Sequence, residues 1–294
     1  MKRLKPSFSL LPLLILLACK STAQWEGQEP IQIVETIDLP VQIQTKQTFD
    51  LGNGLYFSNQ MEGARLNDAL RLNDSLIRVT ILPENEPINP SPWYAFKLWS
   101  AEPQNFWIEF TYGERGFHRY YPKFSLDGKV FSNMDSSDFF LPKTESGGPK
   151  SAFLKVNSQS DTLWIAAQDR MGTEHVEEWK KALLQKDFVE VIPIGKSKAG
   201  RPLEVLKIGE ADDSEMLMVI SMQHPPELTG YLAMQAFMEE IIKDSPEARK
   251  FRSKYNLYLM PQMNPDGVAN GHWRHNLGGI DLNRDWVNFN QPET

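Results

Sequence analysis

The chain has two rhythms. Up to about residue 170, short stretches alternate apolar and polar residues, as in "IRVTI" (77–81) and "WIEFTY" (107–112). That period of two predicts half-buried strands. "QIVETIDLPVQIQT" (32–45) and "TLWIAAQ" (162–168) add shorter candidates. Turn clusters such as "PENEPINPSP", "SLDGK" and "ESGGPK" separate them, at spacings that suit an antiparallel sandwich.

From about residue 171 the period changes. "GTEHVEEWKKALLQK" carries acids early and lysines late, which predicts a helix with Thr173 as its N-cap. "FVEVIPIG", the turn "KSKAGRP" and "LEVLKIG" predict a hairpin. "MLMVISM" (216–222) and "LYLMPQM" (257–263) are apolar on successive residues, the pattern of strands covered on both faces. Between them "LTGYLAMQAFMEEIIK" predicts a long, mostly buried helix. The expected fold is therefore an antiparallel β-sandwich domain over residues 24–170, followed by an α/β mixed-sheet domain over 171–294.

Composition sharpens the picture in three places. The 294 residues carry a net charge of -7, so no basic face for nucleic acid is available. The N-terminus pairs a positive head (Lys2, Arg3, Lys5) with the apolar run "FSLLPLLILLA" (8–18), which predicts an export signal. Two processing readings stand: cleavage after Ala23, giving a signal peptide of residues 1–23, or a lipoprotein box ending before Cys19. Membrane attachment would come only through a lipidated Cys19. Cys19 is the single cysteine, so the exported chain has no intrachain disulfide, and a metal site must use His, Asp and Glu.

Candidate chemistry begins at "SMQHPPELTG" (221–230), just past an apolar strand. In open α/β sheets ligands bind beyond the carboxyl ends of strands. His224 and Glu227, three residues apart across a stiff Pro-Pro turn, can converge on one point, and zinc accepts both donor types. Spacing alone does not separate a metal pair from a surface loop. A second cluster follows: "NPDG" (264–267) and "HWRHNLGGIDLNRDW" (272–286).

Taken together, His224, Glu227, the Asn-Pro-Asp-Gly turn, Arg274, Asp281, Asn283 and Arg284 resemble the zinc carboxypeptidase family over roughly residues 174–294. The preceding β region is similar in placement to the N-terminal domain of the cytosolic-type branch. Pro226, where digestive-type members have an arginine, points to the same branch. The resemblance implies a zinc-dependent metallocarboxypeptidase acting on the C-terminus of a peptide or protein. It implies His224 and Glu227 as metal ligands for Zn2+, and Asp281 as hydrogen-bond partner of the far nitrogen of His224. It further implies Arg274 as the catalytic cation that stabilises an oxyanion, and Asn283 and Arg284 as holders of the substrate carboxylate. His272 and His275 flank Arg274, but the family does not draw its ligands there. His118 and His175 read as surface or interface histidines.

In the family a third ligand, a histidine, and a catalytic glutamate follow well beyond the "NRDW" stretch. Neither occurs between Trp286 and Thr294, and Glu293 comes too early for the base. The expectation is a fragment whose activity belongs to its parent. The alternative is a non-catalytic envelope protein that binds peptide or glycan and carries a vestigial peptidase half.

Overall fold

The computed structural model describes residues 39–86, 92–144, 147–209 and 215–294. The expected export signal and Cys19 lie outside the described residues. Eleven strands form in the first part of the described chain. They are β1 (Thr48–Asp50), β2 (Leu55–Ser58), β3 (Asp68–Asn73), β4 (Leu76–Ile81), β5 (Ala95–Ser100) and β6 (Gln104–Tyr112). After them come β7 (Lys123–Ser125), β8 (Ser132–Asn133), β9 (Phe139–Phe140), β10 (Ser151–Ser158) and β11 (Leu163–Ala166).

They make two sheets, ordered β1-β2-β5-β11-β7-β8 and β3-β4-β6-β10-β9. Alternation decides which side chains face inward: Ile77, Val79 and Ile81 from β4, and Phe106, Ile108 and Phe110 from β6, are all buried. Phe57 and Phe96 of one sheet meet Phe106 and Phe110 of the other, with ring centroids 6.1 and 6.2 Å apart. The sheets are not wholly antiparallel. β4 and β6 run parallel, because the chain crosses to the other sheet for β5 before returning. The described part of the first candidate strand, residues 39–45, forms no strand. Instead Gln44 buries its amide, accepting from the Leu66 N–H at 3.0 Å and donating to the Ala64 carbonyl.

The later part supplies α1 (Thr173–Leu183), β12 (Val189–Lys196), β13 (Pro202–Ile208) and β14 (Glu215–Ile220). It continues with α2 (Leu228–Ile241), α3 (Pro246–Lys254), β15 (Tyr255–Met260) and α4 (Pro265–Asn270). Its sheet runs β12-β13-β15-β14, with β14 and β15 parallel and the remaining pairs antiparallel. All described residues fall in one compact unit, and a single hydrophobic cluster runs from Phe57 and Phe110 to Tyr231 and Leu257. The two-part expectation thus meets a core shared by both parts.

Three local expectations change. Gly172, not Thr173, is the N-cap of α1, and it makes no side-chain cap. The cap comes from Glu62, whose Oε1 accepts the Thr173 N–H at 2.9 Å. α2 buries only the face of Leu228, Tyr231, Met234, Met238 and Ile241. β14 is an edge strand with Met216 70% exposed, so the both-faces-covered pattern does not hold for it.

His118 is buried rather than superficial, against the Tyr94, Phe110 and Phe139 rings, with Tyr112 Oη 2.7 Å from its Nδ1. Burial pushes its pKa down to about 4. The folded state therefore resists a proton that the unfolded chain accepts from about pH 6.5 downward. Stability should fall as pH drops from about 6.5 to 4, by up to about 3 kcal/mol from this group, and not change further below. Denaturant titrations at pH 7 and 4.5 should show that loss reduced in His118→Phe relative to the wild type.

Candidate active site

The site forms where β14 ends. Beyond Ile220 the backbone passes through Met222, which sits in the left-handed region at φ 48° with its side chain buried. For a residue with a Cβ that conformation costs about 1 kcal/mol or more. It is held by the N–H groups of Met263 and Asn264, which donate to the carbonyls of Ser221 and Met222 at 3.0 and 3.1 Å. The strand ends of β14 and β15 are tied together here, and the turn Pro225-Pro226 brings His224 and Glu227 out side by side.

The "NPDG" stretch is more than a turn. Asn264 caps α4 by accepting the Gly267 N–H at 2.9 Å, and Pro265 occupies the first helical position, where its missing N–H costs nothing. Gly267 is required by proximity: a Cβ there would lie 2.7 Å from Pro225 Cγ and from the Asn264 amide. Asp266 is fully buried and takes three donors, Ser197 Oγ, the Ala199 N–H and Arg201 Nη1, each at 2.9 Å. One carboxylate thereby pins the β12–β13 turn to the helix that shapes the site floor.

Four of the six sequence-derived site residues meet by direct hydrogen bonds between their side chains. His224 Nδ1 lies 2.7 Å from Glu227 Oε1, and His224 Nε2 lies 2.9 Å from Asp281 Oδ1. Asp281 Oδ2 accepts Arg274 Nε at 2.7 Å. Asp281 Oδ1 also accepts the Asn283 N–H at 2.9 Å, capping a 3-10 turn over Leu282–Arg284. Asn283 and Arg284 join the group only through that turn: Asn283 is exposed, and Arg284 Nη1 donates to the Asn283 carbonyl at 3.0 Å.

Electrostatics follow the geometry. Burial disfavours the charged form of His224, but hydrogen bonds to Asp281 and Glu227 outweigh it and raise its pKa. Burial likewise works against ionised Asp281, yet His224 and Arg274 hold its carboxyl well below the usual range. Glu227 is held low in the same way, by His224 and then Arg274. With a carboxylate at each ring nitrogen, His224 can satisfy both only as an imidazolium. A cation placed between Nδ1 and Glu227 would replace the Nδ1 proton and leave the Asp281 bond intact. The donor chemistry therefore fits a zinc ion, with His224 and Glu227 as two of the three protein donors a catalytic zinc usually takes. Among the described residues no group of three His, Cys, Asp or Glu converges for a metal.

His272 and His275 are buried and point elsewhere. His272 Nδ1 faces the His275 carbonyl at 2.9 Å, and His275 Nδ1 lies 3.0 Å from Glu84 Oε1. Glu293 is buried too, accepting Asn276 Nδ2 at 3.0 Å. His175 is half-buried, packed edge-on against Tyr231. Glu84 went unnoticed in the sequence. It lies in a turn cluster, where Pro and Asn announce a loop and nothing announces a buried charge.

Residues 176–293 match the family model of zinc carboxypeptidases. A cytosolic carboxypeptidase 1 from Danio rerio is 43% identical over 67 residues, 23% of this chain and 6% of the relative. An uncharacterised protein of Zymomonas mobilis is 27% identical over 196 residues, 66% of this chain and 50% of the relative. A metallo-carboxypeptidase from Pseudomonas aeruginosa, solved with (2-guanidinoethylmercapto)succinic acid, shares the fold at a TM-score of 0.64 and 24% identity. That likeness covers 81% of this chain and 64% of that one. The chain thus spans about half the length of the Zymomonas relative.

Asp266→Ala should leave Ser197 Oγ, the Ala199 N–H and Arg201 without their buried acceptor, at a cost of about 3 kcal/mol. Chemical denaturation at pH 7 measures it, and an unchanged midpoint would contradict the anchoring role.

Proposed function

We propose that the protein is an exported zinc-dependent carboxypeptidase that removes C-terminal residues from peptides. The observation that carries this is the unbroken run Glu227–His224–Asp281–Arg274 at the carboxyl end of β14, within a segment that matches the zinc carboxypeptidase family. Export rests on the basic head and apolar run at the N-terminus. The family match favours this reading over a non-catalytic binding protein.

His224 and Glu227 would hold the zinc, which when bound supplies Lewis-acid polarisation and a water of lowered pKa. Asp281 keeps the proton on His224 Nε2, so that Nδ1 presents its lone pair. The same carboxylate holds Arg274 by Nε and leaves the two Nη nitrogens to meet an oxygen of the substrate that gains negative charge in the transition state. A guanidinium stays charged at every working pH, which suits it to that task. Arg284 and Asn283, one turn further on at an exposed position, would receive the free carboxylate of the peptide, an acceptor that a planar guanidinium fork matches. The compound in the Pseudomonas structure is a succinic acid derivative, and a carboxylate receptor is consistent with it.

A peptide with a free C-terminus should lose its last residue, the amidated peptide should not, and exhaustive chelation should abolish cleavage until zinc is added back. Equal cleavage of both peptides, or cleavage that survives chelation, would sink the proposal. Asp281→Asn puts an amide where His224 and Arg274 need an acceptor. It should lower zinc affinity or turnover by about 10- to 100-fold, read by zinc titration beside peptide hydrolysis.

A further inference from the structure

Glu84 lies in the loop after β4, far in sequence from the peptidase segment, yet its side chain is fully buried beneath the Arg274 loop. Its Oε2 accepts the Trp273 N–H at 2.7 Å. Its Oε1 accepts the Arg274 N–H at 3.0 Å and the His275 N–H at 2.8 Å, with His275 Nδ1 also 3.0 Å away. Three successive backbone N–H groups aimed at one anion form a nest, which fixes the backbone of all three residues. The middle residue of the nest is Arg274.

The neighbouring residue grips the same loop further along, where Asn85 Nδ2 donates to the Gly279 carbonyl at 3.3 Å. Charge balance is also local. Burial works against ionised Glu84, but His275, His272 and buried Arg65 hold it firmly in the carboxylate form. A fully buried carboxylate is costly unless donors surround it. Here the donors belong to the residues whose placement the proposed chemistry depends on.

We propose that Glu84 is a positioning residue for Arg274: it clamps the 273–275 backbone from below while Asp281 clamps the guanidinium from above. The β-rich part of the chain would then complete the peptidase site instead of only packing beside it. The proposal rests on the functional reading above for its catalytic meaning, but the clamp itself can be tested without substrate.

The test is 15N NMR of the arginine Nε–H groups in the full chain, with the Arg274 signal assigned by its loss in Arg274→Lys. In Glu84→Gln one amide oxygen cannot serve donors on both sides, so Arg274 Nε–H should shift and exchange with solvent about tenfold faster. The indole N–H signals of Trp99 and Trp107, remote from the loop, should stay in place, which a general loosening of the fold would not allow. An unmoved Arg274 signal in folded Glu84→Gln overturns the proposal. If that variant does not fold, His275→Leu removes only the imidazole contact. It should move the Arg274 signal in the same direction by a smaller amount, and no movement again overturns the clamp. Where the wild type hydrolyses peptides, Glu84→Gln should lower kcat by about tenfold or more with KM nearly constant. Unchanged kcat overturns the proposal. A wild type that hydrolyses nothing counts against the peptidase reading alone, since the NMR arms still decide the clamp.

Discussion

Everything at the site depends on how one carboxylate is shared. Asp281 has two oxygens: one meets His224 Nε2 and the Asn283 N–H, the other meets Arg274 Nε. Two regions remote in sequence thereby acquire fixed relative positions: the loop after β14 on one side, and the Arg274 loop with the Leu282–Arg284 turn on the other. Two cationic partners offset the cost of burial and keep Asp281 ionised. A neutral residue in its place would satisfy one side and frustrate the other.

The backbone accommodates that sharing at some cost. Met222 adopts a conformation that residues with side chains rarely take, next to the residues that tie β14 to β15. Gly271, at φ 65°, lets α4 approach the β-rich part so closely that a Cβ would stand 2.5 Å from the Ala64 carbonyl. The Gly63 N–H donates to the Ala269 carbonyl at 2.9 Å across the same seam. These contacts explain why the hydrophobic core is continuous through both parts.

Legibility in the sequence followed the range of the causes. Alternation along β4 and β6 is a local property, and it located both strands and the residues they bury. His224 and Glu227 were legible as a candidate pair from the strand end and their short spacing, whereas Asp281 and Arg274 entered only through the resemblance to the zinc carboxypeptidase family. The parallel pairing of β4 with β6 was hidden, since it depends on where the intervening strand goes. The α1 cap was misassigned to Thr173 because the true acceptor, Glu62, lies 111 residues earlier. Apolar composition overstated the burial of α2 and β14, because composition records what a face prefers and not which neighbour covers it. Glu84 was invisible for the reason that makes it interesting: its partners stand about 190 residues away.

That separation bears on when the site can come into being. A contact spanning 191 residues cannot be made until nearly the whole intervening chain exists and has closed a very long loop. Strands such as β4 and β6 can pair while the chain is still emerging, but the Arg274 loop has no carboxylate to wrap until the α/β part docks. Before that moment Glu84 is an ordinary solvated acid and the arginine is unguided. The contact between Glu84 and the Arg274 loop therefore forms only after that long loop closes, and a chain broken off before residue 273 would hold paired strands with Glu84 lacking these donors.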